Sequence, residues 1–122
     1  MAANKVERFG PLAMPTAATN YVNPAAAGGG AVGYTASASY VILRHIRITN
    51  KTAASCTVNM YIGLTAGVAA GTEFLGAGLV VAANSFIDWY GMVRLGSADF
   101  LSATCQTVTS LVFEAEGEVG LA

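Results

Sequence analysis

One histidine, two distant cysteines and a few carboxylates are the side chains in this 122-residue chain best suited to chemistry. A nucleophilic triad needs a base, and His45 is the sole histidine. It sits between Arg44 and Ile46 in a strand-like run, and no GxSxG-type turn surrounds any serine. A histidine in that setting reads as a structural hydrogen-bond donor rather than a general base. Glu73, Asp88 and Asp99 contain enough carboxylates for a glycosidase pair, but their spacing does not demand one. They fall where strands meet turns, which favours solvated or backbone-bonded roles. Glu114, Glu116 and Glu118 alternate onto one face of the last strand, about 6.8 Å apart. Such a comb could meet Arg44, Arg47 or Lys51 of another subunit, gather calcium, or stay solvated. Cys56 and Cys105 form no CxxC pair, and four zinc ligands of the usual kind cannot be assembled. Free buried thiols are expected ahead of a single disulfide for a protein made in a reducing cell. No catalytic, cofactor-binding or metal-binding residue is therefore expected, and the chain is read as not an enzyme.

The elements that would position these side chains are strands. Tyr40–Thr49 places Ile42, Ile46 and Ile48 on one face under period-2 alternation, and Asn50-Lys51-Thr52 ends the run as a turn. Ser55–Ile62 alternates most cleanly: Cys56, Val58, Met60 and Ile62 point one way, Thr57, Asn59 and Tyr61 the other. Further strands are expected at 73–75, 79–82, 86–95, 100–103 and 107–115. In the 86–95 run, Ile87, Trp89, Val93 and Leu95 share a face opposite Asp88, Tyr90 and Arg94. Near the end, Leu111, Phe113 and Ala115 oppose Val112, Glu114 and Glu116. Trp89 belongs to the core, whereas Tyr90, with Tyr61 and Tyr40, is a candidate exposed aromatic patch for protein contact. Six or seven short strands with regular turns predict an all-β fold, an antiparallel β-sandwich or jelly-roll-like body spanning residues 40–122.

Residues 1–39 read differently. They are rich in Ala, Gly, Pro, Asn and Thr and include Pro24-Ala-Ala-Ala-Gly-Gly-Gly30. The Gly run follows no strand and ends in no GKS/T, so it is not a phosphate loop. Prolines at 11, 15 and 24 disfavour a continuing helix. An extended N-terminal arm is expected, able to reach about 120 Å. Its sparse anchors, Phe9, Tyr21, Val22 and Tyr34, become candidate partner-binding residues, with Arg44, Arg47, Tyr90, Glu114 and Glu116 on the body. Deleting residues 1 to 36 is expected to leave a folded body that no longer assembles.

Composition supports association. Charged residues make up 11% and hydrophobic ones 54%, a balance suited to burying extra surface against partners. Up to Lys51 the charges sum to +4, and beyond it to −5, a polarity that orients copies head to tail or is met within one chain. Few bases argue against nucleic acid. The longest apolar run is far shorter than the roughly 20 residues of a spanning helix, and no secretion signal opens the chain.

The body resembles small β-sandwich virion proteins of tailed bacteriophages, specifically head-decoration (cement) proteins. The resemblance is carried by Val41-x-x-x-x-Ile46-x-Ile48-x-Asn50-x-Thr52, Tyr61-Ile-Gly63 and Ala83-Asn-Ser85-x-x-x-Trp89-x-Gly91, with Asp99-Phe-Leu101 and the acidic last strand. It covers roughly residues 40–118 and excludes the arm. The resemblance implies a non-enzymatic virion protein, made in a bacterial host's cytoplasm. It further implies a small homo-oligomer, a trimer in first place, seated on a major capsid protein or another virion protein. Tail, neck or fibre attachment and a glycan-binding adhesion module are the alternatives.

Overall fold

A computed structural model describes residues 5–17, 19–22, 40–63, 71–96, 98–107 and 110–120. Among these residues eight strands follow one another: β1 (Lys5–Ala13), β2 (Thr19–Val22), β3 (Tyr40–Asn50), β4 (Cys56–Gly63), β5 (Glu73–Val81), β6 (Phe86–Gly96), β7 (Phe100–Cys105) and β8 (Leu111–Gly120). They build two four-stranded sheets, ordered β1-β8-β3-β6 and β2-β7-β4-β5. All pairs are antiparallel, and the first strand meets the last: β1 with β8, β2 with β7, β3 with β6, β4 with β5. This nested pairing is one long antiparallel ribbon folded over on itself, the topology of a jelly roll. The expected all-β sandwich is what the chain forms.

The division at residue 39 needs correction. The segment read as an arm supplies β1 and β2, so the sandwich begins at Lys5. Phe9, Met14, Tyr21 and Val22 are fully buried in the core, and the Tyr21 ring lies 4.7 Å from that of Phe113. Their signal is weak in the sequence because β1 is irregular. Its register against β8 shifts between Phe9 and Leu12, where Gly10 takes a left-handed φ of 87°. Residues 23–39, including Tyr34 and the Gly run, lie outside the described residues.

The body strands match their periodicity with two instructive departures. On β4, Cys56, Val58 and Met60 are buried, and on β8 Leu111, Phe113 and Ala115 are buried, as alternation requires. On β3 the inward set changes parity: Val41 and Leu43 are buried, then Ile46 and Ile48, while Ile42 lies on the other face and is only partly buried. The cause is a bulge between Leu43 and His45, present in both of β3's pairings, which leaves Arg44 without a register partner. An extra residue in one strand reverses which side chains face the core. The second departure is β5, expected as two fragments. It is one strand, with a register shift against β4 between Val58 and Met60 and left-handed φ at Leu75 and Gly78.

The turn at Asn50 joins the sheets. Asn50 is buried; its Nδ2 donates to the carbonyls of Ala54 and Val81, while its Oδ1 accepts from the Thr52 amide and hydroxyl. Cys56 and Cys105 are free and buried on neighbouring strands, with Sγ atoms 3.7 Å apart. Among the described residues no helix is long and apolar enough to cross a membrane.

Candidate functional site

The densest polar constellation covers the outer face of the β1-β8-β3-β6 sheet. Outward positions two residues apart on three adjacent strands line up across the ladder. On β3 these are His45 and Arg47, on β6 Asp88 and Tyr90, and on β8 Glu114 and Glu116. Register places His45 opposite Glu116 and Tyr90, and Arg47 opposite Glu114 and Asp88. The bulge at Arg44 makes this alignment, because without the extra residue His45 would point into the core.

His45 is held from three sides. Its Nε2 lies 2.7 Å from Asp88 Oδ1 and its Nδ1 lies 3.0 Å from Glu116 Oε1. Tyr90 stacks on the ring at 4.5 Å, nearly parallel. Arg47 grips Asp88 through two bonds, Nε donating to Oδ1 at 2.7 Å and a terminal nitrogen donating to Oδ2 at 2.8 Å. Such bidentate, charge-assisted pairs are strong and directional. Arg47 also lies over the Phe86 ring, 4.2 Å from its centre, and Arg44 pairs with Glu118 at 2.6 Å.

The proton affinities follow this geometry. Partial burial pushes His45 down, but its hydrogen bonds to Asp88 and Glu116 and the charges of Asp88 and Glu114 outweigh that, leaving it raised. The Arg47 guanidinium, with His45, holds the Asp88 carboxyl down to about 2. Glu114 is raised, first by burial and then by the neighbouring Glu116 charge. Its Oε1 is buried and finds no hydrogen-bond partner among the described residues. One ligand atom each of His45, Glu114 and Glu116 lies within 4.8 Å of the other two.

The residues singled out from sequence separate into three groups. Phe9, Tyr21 and Val22 are core residues, which corrects their assignment as fastening points: with no exposed surface they cannot dock a partner. Tyr34 lies outside the described residues. Arg44, Arg47, Tyr90, Glu114 and Glu116 do come together on one face. The basic first half and acidic last strand meet inside one chain, because β3 lies beside β8. Of the alternatives open to the acidic comb, pairing with Arg44 is found within one chain, as Arg44 with Glu118, and His45, not singled out as a partner, meets Glu116 there as well. The aromatic patch is also redrawn. Tyr90 is 70% exposed on this face, whereas Tyr61 belongs to β4 in the other sheet.

Sequence reasoning passed over His45 and Asp88 as the centre of the constellation. A signal did exist: polar pairs spaced i, i+2 within otherwise apolar strands, His45/Arg47, Asp88/Tyr90 and Glu114/Glu116. The unmarked bulge hid that the first pair faces outward.

An apolar cavity of about 310 Å³ opens between the sheets, lined by Ile46, Ile48, Leu75, Leu79, Ile87, Asp88 and Trp89. Phe74 closes edge-on against Trp89, ring centres 5.2 Å apart. The cavity lies between β5 and β6, one edge strand of each sheet. No family model matches the chain, and no curated protein matches it.

Proposed function

We propose that the protein is a non-enzymatic structural component of a phage particle, in first place a capsid decoration (cement) protein acting as a small homo-oligomer. The observation that carries this reading is the outer surface of edge strand β6. Phe86, Tyr90 and Met92 are 51%, 70% and 68% exposed there, on a strand with one hydrogen-bonded neighbour among the described residues. Large apolar side chains along an edge strand mark a contact surface. The ion pairs of Arg47 with Asp88 and of Arg44 with Glu118 border this row on its β3 side, and an apolar strip beside a polar margin is the usual anatomy of a subunit interface. Placement on a virion rests on the resemblance of the 41–52, 61–63 and 83–91 segments to head-decoration proteins. The experiment is particle stability: heat and osmotic shock applied to particles lacking the protein. The cement role requires that they break open earlier than complete particles, and equal survival refutes it. Copy number per particle separates a head location, with hundreds of copies, from tail or neck, with six to a few dozen.

A second reading has one specific observation behind it. Tyr90 is an exposed ring stacked on His45 and two residues from the Arg47-clamped Asp88, the mixture of stacking surface and hydrogen-bonding groups that binds sugars. Binding on a glycan array that disappears in Tyr90→Ala supports an adhesion module, and an empty array removes it.

A further inference from the structure

The trio His45, Glu114 and Glu116 differs from an ordinary patch of surface acids in three respects. First, it contains an imidazole, and its ligand atoms lie within 4.8 Å of one another on two paired strands. A tetrahedral zinc ion with bonds of about 2.0–2.2 Å holds its ligand atoms roughly 3.4 Å apart. His45 Nδ1 and Glu116 Oε1, at 3.0 Å, already approach that separation. Second, Glu114 Oε1 is buried and has no hydrogen-bond donor among the described residues. A buried carboxylate oxygen left in that state is costly, and a cation bound by the Glu114 carboxylate relieves that cost. Third, the imidazole nitrogen that does not face Glu116 is engaged by Asp88 at 2.7 Å, and Arg47 clamps Asp88 in turn. A carboxylate on the far nitrogen is what fixes the tautomer and angle of a metal-bound histidine.

We propose that His45 Nδ1 and the carboxylates of Glu114 and Glu116 form a binding site for a divalent transition-metal ion of the zinc type, with Asp88 and Arg47 as its outer support. One nitrogen and two carboxylates suit zinc and its neighbours in the first transition row. Calcium requires six to eight oxygens and does not use imidazole. Three protein ligands leave at least one coordination position for water or for a group from outside the chain. Binding replaces the proton that His45 Nδ1 shares with Glu116, and that proton leaves to solvent. The ion then ties β3 to β8, the two central strands of the sheet, on the face bordered by Tyr90. The inference stands on side-chain geometry and does not depend on where the protein resides.

The test uses the purified full-length chain, stripped with chelator and titrated calorimetrically with zinc(II), calcium(II) and magnesium(II) separately. The expected result is one zinc per chain with proton release, and no comparable uptake of calcium or magnesium. Glu114→Gln and His45→Asn should each weaken zinc binding at least tenfold. Asp88→Asn should weaken it by about 10–100-fold with the stoichiometry kept. Replacing both Cys56 and Cys105 by Ser should leave it unchanged, which separates the site from the buried thiols. Circular dichroism checks that each variant folds. Should Glu114→Gln or His45→Asn not fold, the ¹⁵N shifts of the His45 ring in the wild-type chain decide, because zinc must perturb Nδ1 as a directly bound nitrogen. Three results overturn the proposal: no zinc retained by the folded wild type, unchanged affinity in folded Glu114→Gln, or zinc uptake that leaves Nδ1 unperturbed.

Discussion

At the scale of single residues, His45 shows how a strand histidine becomes a charge centre. Both ring nitrogens face carboxylates, Asp88 and Glu116, with Glu114 on β8 close by, Tyr90 stacked on the ring, Arg47 clamping Asp88 and Arg8 of β1 opposite Glu116. Its proton affinity is raised in the folded state. The stability it contributes is therefore present in full below its unfolded value of about 6.5 and is lost as pH rises through the folded value. Asp88 behaves oppositely. Lowered to about 2, it contributes above the unfolded value of about 3.9 and loses that contribution as pH falls towards 2. With chelator present, thermal unfolding of the wild type and His45→Asn should differ most between about pH 4 and 6.5 and converge by alkaline pH. A gap independent of pH contradicts the ion-pair account. Asn50 offers a second residue-scale prediction. Asn50→Ala strands the Thr52 amide and the Val81 carbonyl it now serves, and chemical denaturation should show a loss of about 1–3 kcal/mol. Asn50 was readable as a turn residue. Its role as a tie between the sheets was not, because nothing near position 50 marks its partner at Val81.

At the scale of elements, β1 and β2 carry the largest revision. Sequence periodicity located β4, β6 and β8 because each alternates over enough residues to reveal its faces; it located β3 too but, with the bulge unmarked, put Ile42 on the core face, and β7 does not alternate at all, with Leu101, Ser102 and Ala103 all buried. β1 and β2 hide among Ala, Gly and Pro: β2 is four residues long, and β1 breaks its alternation at Gly10. Yet they are the partners of β8 and β7. Removing residues 1 to 36 exposes two interior strand edges and uncovers the core around Phe113. The truncated chain is therefore expected not to fold cooperatively, opposite to the folded body that the sequence suggested; a sharp thermal transition in it would refute the assignment of β1 and β2. A milder test lies within β1 itself. Phe9 is fully buried and Val6 is 84% exposed on the same strand. Phe9→Ala should cost about 3–5 kcal/mol, whereas Val6→Ser should stay within about 0.5 kcal/mol of wild type. Equal effects would mean that β1 is not fastened to the sandwich.

For the whole molecule, the nested ribbon leaves four edge strands among the described residues, β1 and β6 in one sheet and β2 and β5 in the other. Edges invite pairing with another chain, and the four are not equivalent. On β6 the apolar row of Phe86, Tyr90 and Met92 lies beside the ion-paired centre of the sheet, so one surface combines an apolar strip with fixed charges. Charges satisfied inside the chain are poor drivers of association, since breaking Arg47 from Asp88 to reach a neighbour gains little. Association should therefore run through the apolar row, with the charges setting orientation. Met92→Lys tests this division, because Met92 is 68% exposed and its replacement should leave folding stability within about 0.5 kcal/mol of wild type. In sedimentation velocity the wild type is expected to run as a multiple of its 12.4 kDa mass, a trimer in first place, and Met92→Lys to shift towards monomer. Arg44→Ala, which removes an exposed ion pair on the same face, should leave the oligomer intact. Dissociation by Arg44→Ala but not by Met92→Lys would reverse the roles given to the two parts of the face. A wild type that stays monomeric at every concentration would remove self-association from the account of how this sandwich works.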